Sequence, residues 1–183
     1  MVYQLRNCRT GEKGEYPTTV EIMEKDGEIT FIFTAEHSAF YCPCPGYNGI
    51  HSKGDACEIL IGSDRERKVY YEIEVSSKND LMIAQMTYCG TDPERDNKPI
   101  LIKDFKEKCF VTSTVKPYKD GYIAEVKFKK TDILSGDGEI FFNAYRLETD
   151  GEYKSKHLFA LNPTFGLFHK PEYYLPFKDY VNK

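Results

Sequence analysis

The sequence contains no tryptophan, no long apolar run and no excess of basic residues, and each absence narrows what the protein can be. Without an indole ring, the 14 tyrosines and 12 phenylalanines must supply both the bulky core residues and any aromatic surface for a ligand. A net charge of −4 argues against nucleic-acid binding, which normally requires a basic field. No apolar stretch approaches the roughly 20 residues of a membrane-spanning helix. We therefore expect neither a nucleic acid nor a membrane as partner.

The N-terminal segment also lacks the features of a secretion signal, namely a basic start, an apolar stretch and a small-residue cleavage site. We therefore expect a cytoplasmic protein, although a secreted fragment with a new initiator methionine would look the same. In a reducing compartment all the cysteines would remain free thiols. There are six of them: Cys8, Cys42, Cys44, Cys57, Cys89 and Cys109.

The pattern that is present is an alternation of apolar and polar residues, interrupted by frequent turn signals. Helical periodicity is not sustained for three turns anywhere, and a length of 183 residues suits one domain, residues 1–183. We predict an all-β chain, a single antiparallel β-sandwich that is jelly-roll-like and has little helix. The alternation predicts that the core includes Ile29, Phe31, Phe33, Ile73, Val75, Val126 and Phe128.

A D-x-x-E pattern, formed by Asp55 and Glu58, opens a short apolar strand that precedes a strictly alternating strand. In the alternating strand, Tyr70, Glu72 and Glu74 would face water. Asp55 and Glu58 would then lie at the mouth of a hairpin, where a sheet can present carboxylates to a ligand. The alternative is that they are surface acids at a solvated strand end.

The last two thirds of the chain contain five segments in this order: the D-x-x-E run, Y-Y-E-I-E-V, A-E-V-x-F, F-N-A-Y-R and F-H-K-P-E-Y-Y. Their order and spacing resemble the family 9 carbohydrate-binding modules and their DOMON-like relatives, most clearly over residues 54–177. The resemblance implies a β-sandwich that binds a mono- or oligosaccharide without catalysis, often beside polysaccharide-degrading domains. Such modules usually grip the sugar ring with tryptophans, which this chain lacks.

The resemblance also implies site residues. Glu58 matches the ligand-binding acid, while Asn143 and Arg146 match the residues that open and close the N-x-Y-R motif. Because side chains alternate along a strand, Asn143 and Arg146 face opposite sides of a regular strand. From a regular strand, only one of the two could therefore contact a given ligand. An ion pair with an acid at the sheet edge is the alternative role for Arg146.

Aromatic rings that could stack on a sugar occur in two regions. Tyr41 and Tyr47 lie in the loop before Asp55, and Phe159 and Phe165 follow the F-N-A-Y-R strand. The alternative for these rings is simple packing in the core or in a loop. If none of them faces a ligand, the chain would be a structural or protein-interaction sandwich that has lost its sugar site.

Metal ligands and catalytic groups are sparse in the sequence. A loop with hard oxygen ligands could hold structural calcium, which family members often carry, or could be a solvated acidic surface; it contains Asp92, Glu94, Asp96 and Asn97. Soft ligands for zinc occur at an irregular spacing in Cys42, Cys44, His51 and Cys57.

An enzyme is not expected. Asp55 and Glu58 would point to opposite faces of a strand, so they cannot flank one glycosidic bond. The common nucleophile, metalloprotease and phosphate-binding motifs do not occur in the sequence. Met82 and Met86 share a strand face, as haem ligands could, but such methionines more often belong to the core. We therefore predict no cofactor.

Overall fold

The computed structural model describes residues 1–49, 53–64, 66–88, 100–104, 110–134, 138–152 and 156–182. The smaller of its two antiparallel sheets has five strands, in the spatial order β1 (Val2–Gln4), β3 (Thr18–Lys25), β4 (Glu28–Glu36), β10 (Gly121–Lys129) and β9 (Thr112–Tyr118). The larger sheet has the order β2 (Arg6–Asn7), β12 (His157–Ala160), β11 (Phe141–Glu148), β5 (Ala56–Gly62), β6 (Val69–Ser76), β7 (Leu81–Thr87) and β8 (Ile100–Asp104), and β13 (Leu175–Pro176) pairs with β11.

Helical structure is confined to short pieces in the described part of the chain: α1 (Lys130–Ile133) and two 3₁₀ turns, Pro171–Tyr173 and Phe177–Asp179. No helix there is long and apolar enough to cross a membrane.

The backbone of the turn between β3 and β4 agrees with the antiparallel pairing of these strands. Asp26 and Gly27 join β3 to β4 with φ values of 51° and 78°, the left-handed conformation that a two-residue hairpin requires. The prediction of an all-β sandwich is confirmed.

The core lies between the two sheets and is built mainly from alternate residues of β3, β4, β5, β6, β7, β10 and β11. All seven residues predicted to be buried are buried there, among them Phe31 and Phe33 of β4 and Phe128 of β10. Phe31 is the centre of an aromatic group, with its ring centroid 5.6 Å from that of Phe142 on the opposite sheet. The alternation of the strands therefore predicted correctly which residues form the interior.

The outer face of the larger sheet differs from expectation. Tyr70, Glu72 and Glu74, which were predicted to face water, are buried. The chain after β12 folds back over this face, and we call residues 161–174 the covering segment. Within it, the ring of Phe168 stacks on Tyr145 of β11 at 4.2 Å. The prediction was wrong because alternation shows which residues share a face but not what covers that face.

Candidate functional site

A row of paired residues crosses the outer face of the larger sheet. Tyr145 on β11 pairs with Glu58 on β5, Glu58 pairs with Glu74 on β6, and Glu74 pairs with Met82 on β7. Glu72 lies two positions before Glu74 and therefore projects to the same side. Three carboxylates from two adjacent strands thus share one small area of the sheet.

A cavity of about 380 Å³ opens over these carboxylates, and we call it the outer-face cavity. Its volume lies within the about 300–1,000 Å³ that is typical of small-molecule sites. The three glutamates share the cavity surface with apolar side chains, namely Met82, Leu147, Leu158, Leu167 and Phe168. His169 of the covering segment also lines it, and the exposed residues Arg9 and Lys156 contribute to its boundary.

The polar groups of the outer-face cavity are close to one another. The His169 ring has its Nε2 atom 3.4 Å from Oε1 of Glu72 and its Nδ1 atom 3.0 Å from the Tyr70 hydroxyl. Glu58 is only 5% exposed, and its Oε1 atom has no hydrogen-bond partner among the described residues. Burial, together with the negative charges of Glu72 and Glu74, raises the pKa of Glu58 well above its usual value. The cavity therefore contains an acid that can exchange a proton or accept a ligand group.

Asp55, the other acid of the D-x-x-E pattern, does not reach this cavity. It is fully buried and accepts four hydrogen bonds. Its Oδ2 atom accepts from Ser38 Oγ at 3.0 Å and from the Tyr41 amide at 2.8 Å, and its Oδ1 atom accepts from the amide and hydroxyl of Thr149. Asp55 thus holds the loop after β4 against the end of β11, and the expected presentation of this carboxylate to a ligand is not observed.

Arg146 lies on the inner side of β11, in the interior between the sheets, and is fully buried. Its guanidinium donates to Glu148 Oε2 at 2.6 Å, to Thr18 Oγ1 at 2.9 Å and to the carbonyl oxygens of Glu36 and His37. It therefore ties β11 of the larger sheet to β3 and to the end of β4 in the smaller one. The structure does not bring Glu58 and Arg146 together on one surface. Arg146 does form an ion pair, but its partner is the buried Glu148 of the same strand and not an acid at the sheet edge.

Asn143 faces the outer side, as strand alternation requires, but it is fully buried beneath the covering segment. Its side-chain oxygen accepts from the amide of Asn162 at 3.0 Å, and its Nδ2 donates to the Asn162 carbonyl and to the Tyr145 hydroxyl. This amide anchors the beginning of the covering segment to β11, and it does not line the cavity.

The four aromatic candidates lie apart from the three glutamates. Phe159 is 2% exposed and belongs to the core between the sheets, where it packs against Tyr16. Tyr41 and Tyr47 are half-buried, and Tyr47 contacts the same core. Phe165 is 60% exposed but does not line the outer-face cavity. The structure therefore does not place any of these rings beside Glu58.

Two groups of residues were considered as metal ligands, although no metal was predicted. The acidic loop that could hold calcium or be a solvated surface, with Asp92, Glu94, Asp96 and Asn97, lies outside the described residues. Of the zinc candidates, His51 also lies outside them, and Cys57 is buried in the core with its sulfur 3.5 Å from the Tyr122 hydroxyl. Cys8, Cys42, Cys44 and Cys57 are all free thiols.

Sequence reasoning missed Glu72, Glu74 and His169. The two glutamates could have been found, because the turn between β5 and β6 sets a register that puts them on the same face as Glu58. His169 could not have been found from the sequence, because its contact with Tyr70 joins residues that are 99 positions apart in the chain.

Comparisons with solved structures agree with this architecture. A candidate carbohydrate-binding protein from Bacteroides uniformis superposes with a TM-score of 0.73 and 12% identity, over 95% of this chain and 84% of the other. A family 9 carbohydrate-binding module from Caldicellulosiruptor kristjanssonii in complex with cellotriose gives a TM-score of 0.59 at 12% identity, over 95% of this chain and 79% of the other. A complex of such a module from the same organism with glucose gives 0.56 at 12% identity, over 94% and 82%.

These likenesses concern the fold alone: the chain is a β-sandwich whose fold is similar to that of the family 9 carbohydrate-binding modules. No protein-family model matches the sequence, and no curated protein matches it.

Proposed function

We propose that the protein binds a carbohydrate without catalysing a reaction, and that the sugar occupies the outer-face cavity. The observation that carries this proposal is the meeting of three carboxylates with an apolar surface in one cavity of suitable size. Carboxylate oxygens accept hydrogen bonds from sugar hydroxyls, and apolar side chains can cover the C–H face of a sugar ring. The cellotriose and glucose complexes of two similar folds support a sugar as the first ligand to test.

The outer-face cavity suits this role better than the loop that contains Tyr41 and Tyr47. Glu58, which the family resemblance implies to be a ligand-binding residue, lines the cavity, whereas Tyr47 is engaged with the core. Apart from the imidazole of His169, Phe168 is the only aromatic ring among the described residues that line the cavity. The sugar ring would therefore contact mainly aliphatic side chains, with less aromatic stacking than a tryptophan-based site provides.

The arrangement of the acids supports binding rather than hydrolysis. Glycosidases place two carboxyl groups on either side of the scissile bond. Glu58, Glu72 and Glu74 all project from the same face of adjacent strands, so they would meet the same side of a sugar. Binding of this kind would suit a module that brings a partner enzyme to a polysaccharide.

The test is titration calorimetry of the purified protein against cello-, xylo- and manno-oligosaccharides. Glu58→Gln should weaken binding roughly tenfold or more, because a hydrogen bond to a charged group contributes about 1.5–3 kcal/mol. Glu66→Gln is the matched control, since this acid is exposed and lies outside the cavity. Chromatography of the sugars after long incubation should find them unchanged.

A second variant separates the two candidate sites. Tyr47→Ala should leave the affinity unchanged if the sugar occupies the outer-face cavity, and should weaken it if the sugar docks on the loop. If the wild type binds none of a broad glycan panel at millimolar concentration, the proposal fails, and the sandwich is better interpreted as a structural or protein-interaction domain.

A further inference from the structure

Three side chains from three different elements meet in the outer-face cavity. Glu58 comes from β5, Glu72 from β6 and His169 from the covering segment, and one potential metal-ligand atom of each lies within 4.8 Å of the other two. Of the residues that the structure describes, no other His, Cys, Asp or Glu side chains form such a group of three or more. We propose that these three side chains bind a divalent transition-metal ion, with Zn²⁺ as the best fit.

The donor set decides the kind of ion. Two carboxylate oxygens and one imidazole nitrogen are ordinary ligands of zinc, whereas calcium prefers oxygen ligands alone. Two ionised carboxylates and a neutral imidazole would also balance the charge of a dication. Three protein ligands would leave a fourth position of a tetrahedral zinc ion open toward the cavity.

The present contacts leave room for an ion. The distance of 3.4 Å between His169 Nε2 and Glu72 Oε1 is longer than the 2.7–3.2 Å of a good N–H···O hydrogen bond. Glu58 is 95% buried, since its exposed fraction is 5%, and its Oε1 atom, which lacks a partner among the described residues, belongs to the same cavity. Buried polar atoms without a partner are rare, and an ion bound to this carboxylate would explain one.

Tyr70 supplies the outer partner that a metal-binding histidine normally has. Its hydroxyl oxygen lies 3.0 Å from His169 Nδ1. If Nε2 binds the ion, the proton stays on Nδ1, whose N–H donates a hydrogen bond to this oxygen and so fixes both the tautomer and the orientation of the ring. The metal site does not depend on the proposed sugar binding, because all of its ligands belong to this chain.

The experiment uses the full chain, stripped of metal with a chelator and then titrated with ZnCl₂ alone by calorimetry. We expect one ion per chain and a higher midpoint of thermal unfolding in its presence. Co²⁺ as a spectroscopic probe should give visible absorption bands that report its ligands. CaCl₂ should produce a much weaker response than ZnCl₂.

Matched variants then test each part of the site. Glu58→Gln and His169→Gln should each weaken Zn²⁺ binding more than about 100-fold and alter the Co²⁺ spectrum. Tyr70→Phe should weaken it by about 10–100-fold, the usual loss when an outer partner is removed. His157→Gln is the control, because this histidine also pairs with an acid, Asp150 at 2.6 Å, but belongs to no group of three ligands.

The proposal is overturned if the wild type takes up no Zn²⁺ at concentrations well above those at which specific zinc sites are occupied. It is also overturned if His169→Gln binds Zn²⁺ as tightly as the wild type. Thermal unfolding of each metal-free variant checks that the fold is intact. If His169→Gln fails to fold, Glu58→Gln still tests the site, because glutamine has nearly the same volume as glutamate but lacks the ionisable carboxyl group. Because ZnCl₂ is the only ligand added, a negative result here leaves the sugar titrations to be judged separately.

Discussion

Replacing Arg146 with methionine would show whether this residue joins the two sheets or binds a ligand. The substitution conserves much of the side-chain volume but removes every donor of the guanidinium. Glu148 would then remain buried without its cation, and the carbonyl groups of Glu36 and His37 would each lose a hydrogen bond. Breaking one side of a buried ion pair costs about 3–5 kcal/mol. For a chain of this length, that loss corresponds to a fall in the midpoint of thermal unfolding of about 6–20 °C.

The loss should also depend on pH. Burial, and next the charge of Asp55, raise the pKa of Glu148, while Arg146 opposes this effect. Without the arginine the pKa of Glu148 in the folded state should rise further. As the pH falls, Glu148 can take up a proton and become neutral, so the variant should be less destabilised at pH 5 than at pH 8.

Urea denaturation at the two pH values measures both effects, and Arg146→Met with Glu148→Leu is the companion variant. The double variant should recover much of the lost free energy of unfolding, because apolar replacement of a buried ion pair is often neutral or better. A loss below about 1 kcal/mol, or a loss of sugar binding at unchanged stability, would refute a structural role for Arg146.

Three further outcomes are expected. Glu58→Gln should raise the thermal midpoint more at pH 8 than at pH 5, because burial and two neighbouring carboxylates raise the pKa of Glu58. Ionisation of Glu58 therefore lowers the stability of the wild type as the pH rises above the usual value for glutamate, and the variant lacks this contribution. Phe159→Ala should lower the free energy of unfolding in urea by about 3–5 kcal/mol, because the ring is buried between the sheets. In pulse alkylation followed by peptide mapping, Cys57 should react more slowly than Cys42 and Cys44, because it is fully buried and burial raises its pKa to about 11.

The interior between the sheets could be predicted from sequence because the strands that form it each have one face there. On β4 and β10 apolar residues recur at every second position, and the observed pairing of Phe31 with Val126 keeps both on the same side. This pattern is local, so a few neighbouring residues contain all the information needed. The outer face of the larger sheet is different, because its cover comes from a segment that lies far along the chain.

In the candidate site, too, the sequence pattern does not indicate contacts between residues that are far apart in the chain. Glu58 was identified through the resemblance and does line a cavity, whereas Arg146 and Asp55 have the residue types of a binding site but serve the fold. Arg146 bonds to Thr18 across 128 residues, and no local pattern indicates such a contact. A charged residue in a strand motif is therefore compatible with either role until its distant partners are known.

The covering segment has a consequence for how tightly any ligand can be held. It contributes Leu167, Phe168 and His169 to the outer-face cavity, while the three glutamates come from strands about a hundred residues earlier in the chain. The complete cavity exists only in molecules whose segment is docked, and the apparent dissociation constant equals the intrinsic one divided by that docked fraction. A change at Asn143, which anchors the segment and does not line the cavity, could therefore weaken binding, and a bound ligand should slow hydrogen exchange along the whole segment.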